Sequence, residues 1–197
     1  YDEKYPMFRN LLPKIEKPDK EAVRKKSVFS KEELDRLMQW LGEHELVQEQ
    51  CLLALLMASG TRIGEVERFT VSMIDENNTA FDGLFLETTE EIRVKGRGVN
   101  GKYIRRYLLK DLFLPYYHKW LPIRERIMRE NGQSHDAVFI KNNGEPAAAS
   151  TFRSWMEKWD TVLDKHLYPH SLRHFWTSYL LKAGVEKELV QELQQWS

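Results

Sequence analysis

Apolar residues at positions 34, 37, 38 and 41 recur at three- and four-residue spacing, which predicts an amphipathic helix. Ser30 and Glu33 stand three apart just ahead of them and predict a capping box at its start. Residues 51–58 are apolar almost all round, the pattern of a central buried helix rather than a surface one. Gly60 follows as a predicted C-cap, with Thr61 as N-cap of the next helix. A small sheet is predicted between residues 70 and 109. Two β-like runs, 91–94 and 103–109, flank a hairpin tip with three glycines and an asparagine. Residues 115–131 read as helix, broken or kinked near Pro122, and 138–140 as a short extended run. Ser150 is expected to cap a helix carrying Phe152, Trp155, Met156 and Trp159 as core. Two further helices are predicted over 170–183 and 186–196, separated by Gly184, with Phe175, Tyr179 and Leu180 on one apolar face. The pattern predicts a mainly α protein with a small antiparallel β-sheet (α+β).

Composition refines this. At 197 residues the length suits one domain with an arm. Residues 1–27 are charged, carry Pro6, Pro13 and Pro18, and read as a linker; residues 28–197 are the folded domain. Thirty basic and thirty acidic residues give zero formal charge, which by itself does not point to nucleic acid. The distribution does: residues 91–110 hold seven Lys or Arg against Glu91 alone, and residues 1–26 hold eight basic against five acidic. Cys51, the sole cysteine, excludes a disulfide within the chain, is expected in the core and fits a reducing cytoplasm. No apolar run approaches a membrane span.

Three motifs suggest chemistry. In Pro169-His170-Ser171-Leu172-Arg173-His174, His170 and Arg173 share a face at a predicted helix start. A cation there opposes the helix dipole, so Arg173 suits an anion that the free N–H groups also attract. In Gly60-Thr61-Arg62-Ile63-Gly64-Glu65, Arg62 again falls at a helix start, with Glu65 in the order less favourable for helix stability. The third is the basic hairpin Val94-Lys95-Gly96-Arg97-Gly98-Val99-Asn100-Gly101-Lys102. Each alone reads as ordinary surface; together they outline a phosphate clamp. His166, His170 and His174 recur every four residues, but Pro169 interrupts a shared helix and no cysteine or carboxylate cluster completes a metal site.

The order Arg62, Lys95, His170-x-x-Arg173 resembles the tyrosine recombinase (phage integrase) family, from about Val28 to the last residue. Residues 27–34 resemble the opening of its catalytic domain, 58–66 its first arginine box, Val94-Lys95-Gly96 its hairpin lysine, and 170–174 its second box. Trp196 falls where most members have histidine and some tryptophan, while Gln194-Gln195 departs from the usual Leu-Gly. The resemblance implies the tyrosine recombinase catalytic-domain fold, with residues 1–27 leading from a separate N-terminal DNA-binding domain.

It also implies site-specific cleavage and rejoining of DNA through a 3′-phosphotyrosine link, as in integration or transposition by mobile elements. Arg62 and Arg173 would grip the phosphate, His170 hydrogen-bond it or take a proton, Lys95 protonate the leaving 5′ oxygen, and Trp196 donate its indole N–H. Glu65 and His174 would support them, and Arg93, Arg97, Lys102 and Arg105 would contact DNA. No cofactor and no metal is implied. The partners implied are duplex DNA and further copies assembling on it as a synaptic tetramer, in the cytoplasm at the nucleoid and with no membrane. The family's nucleophilic tyrosine follows the Trp196 position, beyond Ser197, so the chain as given is expected to bind DNA without covalent cleavage. The alternative is a catalytically inactive DNA-binding regulator on the same fold.

Overall fold

The computed structural model describes residues 29–95, 101–168 and 170–194. The linker, Arg97 and the rest of the hairpin tip, Pro169 and Trp196 lie outside the described residues. Six α-helices and five short strands occur among the described ones: α1 Lys31–Glu43, α2 Val47–Ser59, β1 Thr79–Ala80, β2 Phe85–Glu87, β3 Ile92–Val94, β4 Lys102–Ile104, β5 Tyr107–Leu109, α3 Lys110–Glu130, α4 Ala149–Leu163, α5 Ser171–Lys182 and α6 Lys187–Gln194.

The capping box forms as expected. Glu33 N–H donates to Ser30 Oγ at 3.2 Å and Ser30 N–H to Glu33 Oε2 at 2.9 Å, fixing the start of α1. Leu34, Leu37, Met38 and Leu41 are buried against α2. In α2 every residue from Glu49 to Ser59 is buried. This helix is the axis of the core, packed on by α3, α5, α1 and β5. The one carboxylate in its buried stretch is matched: Glu49 accepts from Trp159 Nε1 at 2.8 Å and pairs with Lys158 Nζ at 2.5 Å, joining α2 to α4. Gly60 ends α2 at φ +61°, a left-handed conformation that costs other residues a Cβ clash.

The sheet is two sheets. β1, β2 and β5 form an antiparallel one in the order β1-β2-β5, with Leu86 opposite Leu108. β3 and β4 form a separate hairpin, with Val94 opposite Lys102. The predicted strand 103–109 is therefore divided at Arg105-Arg106, where the chain passes from one sheet to the other. Thr88 fixes this corner: it donates its N–H to Arg106 O at 2.9 Å and accepts from Arg106 N at 3.0 Å through its hydroxyl.

Other local expectations are corrected. Thr61 does not cap a helix; its hydroxyl is buried and accepts from Ser59 at 2.7 Å. Arg62 takes the cap position in extended conformation, and a 3-10 helix, Ile63–Arg68, follows instead of an α-helix. Helix α3 runs unbroken through Pro115 and Pro122. Burial of Phe113, Leu114, Tyr117, Trp120 and Met128 outweighs the hydrogen bonds the prolines remove. Ser150 does not cap α4; Ala148 stands at the cap, and Glu67 from the 3-10 helix accepts from Ala149 N at 3.2 Å. Phe152, Met156 and Trp159 are buried as expected, with Trp155 partly so. Tyr179 is exposed rather than packed with Leu180, its ring stacked on Phe175 at 5.8 Å. No helix among the described residues is long and apolar enough to cross a membrane.

Candidate phosphate-binding site

The site begins where α2 ends. The left-handed turn at Gly60 rests on the ring of Trp176 from α5, whose Nε1 donates to Ala58 O at 3.0 Å. That contact docks the start of α5 against the Gly60 turn. Arg173, one helical turn before Thr177 on the same helix, donates from Nη1 to Gly60 O at 3.1 Å and from Nη2 to Gln194 O at 3.3 Å. Two residues past Gly60, Arg62 reaches Glu65 Oε1 through Nη1 at 3.3 Å.

A third arginine completes the cluster. Arg106, at the corner between the sheets, donates from Nη2 to Glu65 Oε2 at 2.5 Å and from Nη1 to Gln194 O at 3.3 Å. Its side chain is 1% exposed and that of Glu65 4%, whereas Arg62 is 30% exposed. Arg173 is buried. Arg62 and Arg106 thus share one carboxylate and Arg173 joins Arg106 at the Gln194 carbonyl, leaving two positive charges in excess in a largely desolvated place. Burial pulls Arg173 down to about 10, helped by Arg62 and Arg106 and opposed by Glu65. Burial also lowers Arg106, with Glu65 opposing and Arg62 adding to the shift. The like charges raise one another's cost in this place, and a bound anion would relieve it.

The structure thus brings Arg62, Glu65 and Arg173 together. Lys95 is exposed at the end of β3, whose hairpin packs on the 3-10 helix bearing Arg62; Arg68 Nη1 ties the two by donating to Arg93 O at 3.0 Å. Arg93 and Lys102 are exposed on that hairpin and Arg105 just beyond it, its Nη1 3.5 Å from Thr88 O. His170 is exposed immediately before α5. His174 is also exposed and lines a different cavity, about 670 Å³, with Phe29, Lys31, Phe175 and Tyr179. His166 pairs with Asp160 at 2.5 Å, and no group of three metal-ligating side chains occurs among the described residues. Arg106 was hidden from sequence reading by its place in a run of basic residues. Period-two alternation carries the signal, since Ile104, Arg106 and Leu108 are all buried while Arg105 is not.

The model of the phage integrase family matches residues 27–197. Tyrosine recombinase XerC of Bacillus subtilis (strain 168) is 28% identical over 191 residues, covering 92% of this chain and 55% of that protein. Tyrosine recombinase XerC of Listeria monocytogenes serotype 4b (strain F2365) is 26% identical over 179 residues, covering 88% of this chain and 55% of that protein. The chain spans about half the length of these curated relatives. Among solved structures, XerA recombinase superposes with a TM-score of 0.66 at 18% identity, over 85% of this chain and 55% of that one. XerH site-specific recombinase bound to difH substrate gives 0.62 at 18% identity, over 86% and 47%. At these identities the structural likeness is one of fold.

Proposed function

The chain belongs to the phage integrase family, and from that membership we propose that it is the catalytic part of a site-specific DNA recombinase, cleaving and rejoining strands through a 3′-phosphotyrosine intermediate. The observation that carries the reading is the cluster of Arg62, Arg106 and Arg173 around Glu65, with Arg62 open to solvent. A phosphodiester under attack gathers charge on its non-bridging oxygens, and preorganised cations lower that barrier. Arg62 and Arg173 take those oxygens. Lys95, on the exposed hairpin, protonates the departing 5′ oxygen, and His170 manages the nucleophile's proton or holds the phosphate. Trp196 donates its indole N–H, Glu65 orients Arg62, and His174 supports the histidine side of the site. Arg93, Arg97, Lys102 and Arg105 grip the duplex backbone. Neither Tyr168 nor Tyr179 is assigned as the attacking tyrosine. The partners are duplex DNA and further copies of the protein assembled on it, in the cytoplasm.

The test is anisotropy of a fluorescein-labelled duplex titrated with the 197-residue chain across a salt series. Binding should be weak and fall steeply with salt, and Arg62→Ala should lower the log–log slope by about 0.9, the value of one phosphate contact. Absence of binding at low ionic strength overturns the reading. In a chain extended to carry a nucleophilic tyrosine, a 5′-bridging phosphorothiolate should rescue Lys95→Ala but not Arg173→Ala, whose defect lies on the non-bridging oxygens.

A further inference from the structure

Glu65 stands between two arginines and does not share itself equally. Its Oε2 is 2.5 Å from Arg106 Nη2, and its Oε1 is 3.3 Å from Arg62 Nη1. Arg106 is buried, its backbone is held on both sides by Thr88, and its second hydrogen bond runs to the Gln194 carbonyl. Its side chain is 1% exposed, and its Nη atoms are taken by Glu65 and Gln194. Arg62, on the far side of the same carboxylate, is the half-exposed member. A buried carboxylate takes the strongest cation within reach. Without Arg106, the guanidinium still hydrogen-bonded to Glu65 is that of Arg62, at 3.3 Å, and one drawn tightly onto the carboxylate is lost to a phosphate.

We propose that Arg106 is a positioning residue that occupies Glu65 and so leaves the Arg62 guanidinium directed at the DNA phosphate. The proposal rests on the reading of the arginine cluster as a phosphate site. Arg106 touches no DNA, yet its removal is felt as the loss of a phosphate contact made by another residue.

The experiment is the same duplex titration across salt. Its variants are Arg62→Ala, Arg106→Met, the two combined, Arg106→Lys, and Arg106→Met with Glu65→Gln. Circular dichroism and urea unfolding on each report the fold separately. Arg106→Met should weaken binding roughly threefold to tenfold and lower the salt slope by about 0.9, as Arg62→Ala does. Combined with Arg62→Ala it should add no further loss, because both remove the same contact. Arg106→Lys, which keeps a charge against Glu65, should retain the parent slope. Adding Glu65→Gln to Arg106→Met should restore it, because the amide oxygen still accepts from Arg62 and orients it but carries no charge to hold it from a phosphate. An unchanged slope in Arg106→Met, losses that add to those of Arg62→Ala, or no restoration by Glu65→Gln overturns the proposal while leaving the phosphate site standing. If Arg106→Met does not fold, the Arg106→Met/Glu65→Gln chain decides, since a slope already lowered there overturns it equally. A parent slope in Arg62→Ala overturns the phosphate site and the proposal together.

Discussion

Gly60 carries the sharpest test of how the fold holds the site. Its φ is +61°, and a Cβ there would lie 3.2–3.3 Å from three atoms of the Trp176 ring. The left-handed conformation costs an alanine about 1–2 kcal/mol. The ring cannot retreat freely, because Trp176 is fully buried and its Nε1 is bonded to Ala58 O. Overpacking of that kind adds about 1–3 kcal/mol, while the stiffer unfolded chain returns about 0.4–1 kcal/mol. Gly60→Ala should therefore destabilise by about 1–5 kcal/mol, summing those terms, with the middle of the range at about 3 kcal/mol. Gly132 is the matched control: its φ is +62°, and a Cβ there meets nothing within 4 Å. Gly132→Ala should show the backbone cost alone, about 1 kcal/mol. Urea unfolding of both variants, with the slope m checked for constancy, measures the difference directly. Gly60→Ala also displaces the carbonyl that accepts from Arg173, so duplex binding should weaken even in the folded protein. Equal destabilisation by the two substitutions would refute the reasoning, since it would mean that Trp176 is no rigid shelf.

Glu49→Ala should cost about 1–3 kcal/mol in urea unfolding, because the buried Trp159 Nε1 loses its acceptor; Lys158, its side chain 41% exposed, can turn to water. Burial pushes the Asp136 carboxyl up, but hydrogen bonds from the Ser72 hydroxyl and backbone N–H outweigh it and hold the group below its ordinary 3.8. Its contribution is thus fully present above pH 3.8 and is lost as pH falls through the lowered folded value. Asp136→Asn should flatten the unfolding midpoints over that acid range and not above it. Ser30→Ala removes the hydroxyl half of the α1 capping box and should lower stability by about 1 kcal/mol, read by thermal unfolding.

What was legible in the sequence was what local spacing decides. Ser30 and Glu33 cap α1 because both partners lie within one turn. The buried α2 was visible because apolarity all round admits no other placement. What was not legible depended on distant partners. Ser150 fits a capping pattern, yet Glu67, 82 residues from Ala149, supplies the bond. The chain turns between sheets at Arg105-Arg106 because Arg106 points inward to Glu65, 41 residues away. Pro122 suggests a break that packing against α2 overrides. At the site, the motif residues Arg62, Glu65 and Arg173 were identifiable by type and order. Arg106 and the carbonyls of Gly60 and Gln194 were not, since a backbone acceptor leaves no mark in a sequence.

The carbonyl of Gln194 accepts from two buried cations at once, and it belongs to α6, described over Lys187–Gln194. The two turns described have little stability of their own, and α6 is held largely by Val190, Leu193 and its contacts with α5. Local opening of α6 strips an acceptor from Arg106 and Arg173 in the same event. The integrity of the cluster is therefore tied to a sub-global opening far less costly than unfolding of the core. Amide exchange along α6 becomes a clock for the site, with protection factors that should rise when a phosphate occupies the arginines, before any exchange in α2 is affected.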